Sequence, residues 1–296
     1  MTKNTFFILD VFAERKYSGN QLAVFKVDTP ITDAEMQQIA GEINFSETTF
    51  ILSDMPENGG YPVRIFTPTQ EVPFAGHPTL GTAYVIQKEI IRASVERIVL
   101  NLEIGQIPVS LTYNGLMIER LTMKQNEPVF LKTVDKKAAS DALGISESDI
   151  DVRFPVQEVS TGLPFIIVPL KNLNAIKKAK INREAHQKLT TDTEAKAIFL
   201  FCPETYNKEN QLNARMFADC YGIPEDPATG SANGCLAAYL VKHRYFEGDH
   251  INVRVEQGYE MGRPSLLYIE GKRSNDAIEV FVGGNVIEVA KGNWQA

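Results

Sequence analysis

The clearest local signal in the chain is the stretch from Thr32 to Ile43, where Met36, Ile39, Ala40 and Ile43 recur at helical spacing and Thr32 and Glu35 stand in capping-box positions. The helix should stop at Asn44. Most other apolar segments are short, β-branched or aromatic, and bounded by turn residues: FFILDVF, AVFKV, TTFILS, VRIFT, RIVLNL, IPVSLTY, PFIIVPL, AIFLF, INVRVEQ, SLLYIEG and AIEVFVGG. Few are separated by a segment long enough for a crossover helix, which predicts an α+β protein with a mostly antiparallel sheet. The lysine-rich stretches Lys132 to Ser148 and Lys171 to Lys196 read as solvated peripheral helices. Two segments break the pattern. LGTAYVI after His77 and CLAAYLV after Ser231 are apolar or small at nearly every position. A helix apolar all round has to be enclosed on every side, so each is expected to be a central helix wrapped by a sheet.

Both of these segments follow loops of one pattern, VPFAGHPTLG from Val72 and DPATGSANG from Asp226. Setting Pro73 on Pro227 also aligns Gly76 with Gly230 and Ala83 with Ala237. Upstream, Arg64, Ile65 and Phe66 face Arg215, Met216 and Phe217, and TTFIL (Thr48 to Leu52) resembles LPFII (Leu163 to Ile167). An ordered series of this length is the mark of a duplicated unit. The expectation is two similar domains related by a pseudo-twofold, 1–117 and 118–296, with the last strand, about 279–292, able to return to the first. Pro78 suits the first position of a helix, which makes His77 the N-cap residue of one copy and Ser231 that of the other. Serine is a preferred cap and histidine is not, so Ser231 has a structural explanation and His77 asks for another. The plain alternative for His77 is a hydrogen-bonded core residue.

Helix N-termini carry unpaired N–H groups and partial positive charge. Two of them brought together would floor a cleft that binds a carboxylate, with Gly76 and Gly230 admitting a ligand close to the backbone. Carboxylates adjoining the repeat, Glu47, Glu71, Glu225 and Asp226, are the acid–base candidates. Among them Glu47 opens an apolar strand just beyond a helix, and its counterpart in the second copy falls near Gly162.

Composition narrows the class. The 296 residues are 44% hydrophobic and 23% charged, as in a soluble globular protein, and the net charge of -7 argues against a nucleic-acid or anionic-membrane partner. The opening MTKNTFFILDVF is interrupted by Asp10 and reads as a first strand rather than a signal peptide or membrane span. Cys202, Cys220 and Cys235 are odd in number with no CxxC pair, which suits a reducing cytoplasm. His77, His186, His243 and His250 have no metal-ligand spacing, and no phosphate-binding glycine motif is present, so neither metal nor cofactor is expected.

The series GNQLAVF, FSETTFIL, FTPTQEVPFAGHPTLGTAYVI, STGLPF, MFADCYGIPEDPATGSANGCLAAYLV and VEQGYEMGRPSLL resembles the phenazine-biosynthesis PhzF-like isomerase family over nearly the whole chain. That resemblance implies the diaminopimelate-epimerase-like fold, in which two similar domains each wrap a sheet around a central helix. It implies a cofactor-independent isomerase acting on a small carboxylate-bearing molecule. Glu47 matches the general acid/base; His77, Asp226 and Ser231 match groups that hold the substrate and assist proton movement; Gly76 and Gly230 match the amide donors. A homodimer is common in the family. Fold relatives that racemise amino acids carry a reactive cysteine in each half, where this chain has Ala75 and Thr229. Alternatives are an epimerase or dehydratase on the same fold, or a small-anion-binding protein without turnover.

Overall fold

The computed structural model describes residues 3–219, 223–275 and 277–295. In chain order the strands are β1 (Lys3–Val11), β2 (Asn20–Lys26), β3 (Thr48–Ile51), β4 (Tyr61–Phe66), β5 (Glu71–Val72), β6 (Arg97–Leu102), β7 (Gly105–Asn114), β8 (Met117–Lys124), β9 (Val129–Thr133), β10 (Gln157–Ser160), β11 (Pro164–Pro169), β12 (Ala197–Cys202), β13 (Leu212–Ala218), β14 (Ile223–Asp226), β15 (His250–Gln257), β16 (Ser265–Ser274), β17 (Ala277–Gly284) and β18 (Val286–Gln295). The α-helices are α1 (Asp33–Ile43), α2 (Gly76–Val85), α3 (Lys136–Leu143), α4 (Leu173–Lys178), α5 (Arg183–Thr191) and α6 (Gly230–Lys242). The chain divides into two compact units, unit 1 comprising Met1–Met123 with Gly283–Ala296 and unit 2 comprising Lys124–Val282.

In unit 1, β1 pairs antiparallel with both β2 and β18. From there β2 runs parallel to β3, β3 antiparallel to β4, β4 parallel to β6, and β6 antiparallel to β7. Unit 2 repeats this sequence: β11 parallel to β12, β12 antiparallel to β13, β13 parallel to β15, β15 antiparallel to β16. Each parallel pair needs a crossover, and the helices provide them. A peripheral crossover joins the first pair, through α1 in unit 1 and through α4 and α5 in unit 2; α2 and α6 join the second. Both of these are enclosed as their composition requires. Eight residues of α2, from His77 to Ala83 and Val85, are buried, as are all of α6 but Ser231 and Lys242. After Val85 the chain continues as a π-helical turn, Ile86–Ile91, that the apolar pattern does not announce.

Side chains confirm the repeat. Arg64 on β4 grips Glu71 on β5 through Nε and Nη2 at 2.7 and 2.6 Å, and Arg215 on β13 grips Glu225 on β14 in the same bidentate way at 2.8 and 2.9 Å. Each guanidinium also lies over the phenylalanine two residues on, Phe66 at 5.1 Å and Phe217 at 4.7 Å. One expected correspondence is overturned by strand pairing. Phe50 faces Arg64 and Leu200 faces Arg215, so β3 corresponds to β12, and the LPFII segment of β11 corresponds to β2. Short apolar strands resemble one another, and only their neighbours tell them apart. Glu47 therefore answers to Ala197 rather than to Gly162, whereas Gly162 (φ 136°) answers to Gly19 (φ 68°), each entering its strand with positive φ.

Each unit has its own core. In unit 1, α1 sets Met36, Ile39 and Ala40 against Phe25, Phe50 and Phe66; in unit 2, α3, α4 and α5 cover Ile166, Val168, Ile198 and Leu200. At about 1.5–3 kcal/mol for each large side chain buried, these clusters fix the peripheral helices against β2, β3 and β4 in unit 1 and against β11 and β12 in unit 2.

Candidate active site

In unit 1 three chain segments converge on Glu47. The capping box predicted at Thr32 is present, and α1 ends on Asn44, which takes the left-handed conformation (φ 55°) that asparagine tolerates. That turn leaves Glu47 immediately before β3, its side chain mostly buried. His77 enters from α2, and its Nε2 lies 3.4 Å from Oε2 of Glu47 and 3.3 Å from the carbonyl oxygen of Gln21 on β2. A hydroxyl pair, Thr49 with Thr82 at 2.8 Å, ties β3 to α2 and holds the two residues in register. The carbonyl of Gln21 can only accept, so Nε2 carries the ring proton and Nδ1 is the bare nitrogen. Burial pushes His77 down to about 3, against the Gln21 carbonyl, which favours the protonated ring. The nearby Glu47 carboxylate also favours protonation, but desolvation of a fully enclosed ring outweighs it, and the imidazole is neutral.

The expected caps are corrected. The N-cap residue of α2 is Ala75 (φ -149°, ψ 143°) and that of α6 is Thr229 (φ -114°, ψ 97°), so His77 and Ser231 are each the second helical residue. Proline is tolerated wherever the first turn has a spare N–H, and Pro78 occupies the third helical position rather than the first. Ser231 thereby loses the structural explanation that capping offered.

Neither N-cap residue makes a side-chain cap bond. Among the described residues the other four α-helices are all capped, by Thr32, Asp135, Asn172 and Asn182. Forgoing a cap costs about 1 kcal/mol, and the two helices that forgo it are the two central ones. Alanine has no cap to offer. Threonine has one, but at Thr229 the hydroxyl donates to Oδ2 of Asp226 and its oxygen accepts from Nε2 of Gln257 rather than from an N–H of α6. Asp226 is itself buried, at the end of β14. Two further residues, which motif reading did not single out, organise this loop. Gln257 and Asn233, both fully buried, bond to Thr229 and to each other. Asn233, four residues beyond the cap, could have been suspected from helical spacing; Gln257 belongs to another strand and could not. The structure thus places Glu47, His77 and Gly76 together in unit 1, and Asp226, Gly230 and Ser231 together in unit 2.

Thiol chemistry has no support at these loops. Cys235 is fully buried on α6, within 3.6 Å of the Thr161 hydroxyl, and burial pushes its thiol up to about 12; Cys202 is pushed up likewise. Cys220 lies outside the described residues. No group of three His, Cys, Asp or Glu side chains is placed to hold a metal among the described residues, and no helix there is long and apolar enough to cross a membrane. A groove of about 440 Å³ in unit 1 is lined by Arg64, Glu71 and Glu103 but by neither Glu47 nor His77. Its guanidinium is already engaged by Asp33 and Glu71, so the chemistry is better sought at Glu47.

An α+β protein of two like-built units, each around a buried helix with an open N-terminus, is the class these observations define. Residues 9–292 match the family described as phenazine biosynthesis-like protein, and the chain belongs to that family. It is 34% identical over 291 residues to the trans-2,3-dihydro-3-hydroxyanthranilate isomerase of Pseudomonas fluorescens, covering 98% of each chain. The crystal structure of the Bacillus anthracis phenazine biosynthesis protein of the PhzF family matches with a TM-score of 0.90 and 27% identity over the whole of both chains. A hydroxyproline epimerase from Agrobacterium vitis, with trans-4-hydroxy-L-proline bound, shares the fold at a TM-score of 0.61 and 10% identity, over 98% of this chain and 92% of its own. The protein is an isomerase of the PhzF family.

Proposed function

We propose that the protein moves a proton, and with it a double bond, on a small carboxylate-bearing molecule without cofactor or metal, using Glu47 as the acid and base. The observation that carries this reading is the Glu47 carboxylate 3.4 Å from a neutral, buried imidazole at the uncapped end of α2. A neutral His77 leaves the glutamate its basicity, where an imidazolium would hold it as an ion pair. Glu47 takes a proton from an activated C–H carbon; the electron pair moves into the conjugated system as an enolate-like anion; Glu47, its proton exchanged with solvent, or a partner then protonates a different carbon. First-turn amides at Gly76 and Gly230 receive the negative charge, as preorganised donors do elsewhere. Asp226, His77 and Ser231 hold the substrate's other polar groups and assist the proton's movement.

Trans-2,3-dihydro-3-hydroxyanthranilate, named for the Pseudomonas fluorescens relative, is the first substrate to try. In heavy water the wild-type protein should convert it to an isomer that carries solvent deuterium at a carbon. Glu47→Gln should slow that exchange about 10²–10⁴-fold, the usual worth of a general base, while its dissociation constant for the compound stays within about threefold. Undiminished exchange in the variant would sink the assignment, and binding without any exchange by the wild type would favour an anion-binding protein.

A further inference from the structure

We infer that Gln257 is a positioning residue whose side-chain amide, through the Thr229 hydroxyl, sets the direction of the hydrogen bond that reaches the Asp226 carboxylate. The inference rests on the proposed place of Asp226 in the reaction. Gln257 ends β15 and is fully buried. Its Oε1 lies 3.2 Å from the Thr229 backbone nitrogen and 2.9 Å from Nδ2 of Asn233; its Nε2 lies 2.9 Å from the Asp226 carbonyl and 3.1 Å from Oγ1 of Thr229. A backbone N–H can only donate and a backbone carbonyl can only accept, so neither end of this amide can be exchanged for the other. With its orientation forced, Nε2–H donates to the Thr229 hydroxyl. That hydroxyl has a single proton, and it points to Oδ2 of Asp226.

Two consequences follow from the direction of this chain. Oδ2 of Asp226 is held as an acceptor, so one oxygen of the side chain is fixed in place by the Thr229 hydroxyl. The Thr229 oxygen, accepting from Nε2 of Gln257, makes no cap bond to the first turn of α6. A second feature of the same strand end presses on the loop. Gly258 has φ 76°, and a Cβ there would stand 2.6 Å from the Pro227 carbonyl oxygen and 2.4 Å from that of Arg263. Only glycine lets the Gln257 turn sit this close to the segment that carries Asp226.

The test uses the full chain with Thr229→Val, Thr229→Ser, Gln257→Glu and Asp226→Asn. Trans-2,3-dihydro-3-hydroxyanthranilate is the substrate, and the Thr229 hydroxyl proton is followed by NMR without ligand. Thr229→Val removes the donor, and Gln257→Glu, unable to donate when ionised, draws the Thr229 proton to itself. Each should lower kcat about tenfold with KM within about twofold, in line with one hydrogen bond to a charged group, and Thr229→Ser should restore most of the rate. In the wild type the hydroxyl proton should exchange slowly with water, and in Gln257→Glu it should shift. Full kcat in Thr229→Val alongside a loss in Asp226→Asn would overturn the positioning role, as would a hydroxyl that exchanges as fast as an exposed threonine's. Should Gln257→Glu fail to fold, the valine and serine variants decide between these outcomes. Full kcat in Asp226→Asn would instead overturn the underlying reading of Asp226, and the hydroxyl signal alone would then uphold or overturn the orientation.

Discussion

Burial holds the His77 imidazole neutral down to about pH 3 at a position where its charged form would neutralise Glu47. The cost of that arrangement appears on acidification. An unfolded histidine protonates near 6.5, so between about 6.5 and 3 the unfolded chain binds a proton that the folded chain does not. Stability from this residue is therefore complete above about pH 6.5 and is lost as pH falls toward 3, at up to about 1.4 kcal/mol per pH unit. His77→Asn, which never titrates, should flatten this part of the acid limb in urea unfolding measured between pH 4 and 7. An acid limb of unchanged slope would mean that the ring is not held neutral. The same residue illustrates why a site can be half-read from sequence: the spacing of GHPT places a histidine at a helix start, but the Gln21 carbonyl that fixes its tautomer comes from another strand.

At the scale of elements, the two central helices are the ones whose N-cap residues make no side-chain cap bond. Ala75 has the extended backbone of a capping residue, and a serine oxygen there could accept from the His77 N–H, since Pro78 has none to give. Ala75→Ser should therefore raise stability by about 0.5–1 kcal/mol, or about 1–4 °C in Tm, while occupying the amide next to the Gly76 N–H proposed for the substrate. A severalfold rise in KM for trans-2,3-dihydro-3-hydroxyanthranilate is the expected companion; a higher Tm with KM unchanged would remove the α2 amides from the binding site. Local chemistry accounts for how much of this was legible. The capping box of α1, the stop at Asn44 and the all-round apolar character of α2 and α6 depend on neighbours within a turn, and these were read correctly. The cap position at His77 was misread because a proline marks the first turn without saying which residue of it. The pairing of TTFIL with LPFII failed for a different reason, since strands of similar composition differ only in partners that lie far away in the chain. The Gln257 contacts, reaching back 31 residues to Asp226 from another strand, belong to the same illegible class.

For the whole molecule, the longest-range feature is the closing of unit 1 by the end of the chain. β1 lies between β2 and β18, so the first strand described has one of its two edges covered only when nearly the last residue is in place. The sole tryptophan of the sequence, Trp294, sits on that closing strand. Its ring meets Phe6 of β1 at 6.0 Å and Phe25 of β2 at 5.4 Å, both edge-on, and Phe25 in turn stacks on Phe50 of β3 at 5.2 Å. The strand that follows Glu47 is thus braced, through two aromatic contacts, by the closing strand. Edge-to-face pairs contribute about 0.5–1.5 kcal/mol each beyond buried area, so Trp294→Ala, at a half-buried position, should cost roughly 2 kcal/mol. With about 2–4 °C per kcal/mol, the transition of unit 1 should fall by about 4–8 °C. Hydrogen exchange should locate the loosening in β1, β2 and β18, because those amides lose protection when the closing strand frays. Exchange that rises evenly through both units, or a Tm that does not move, would mean that the terminal strand covers β1 without holding it.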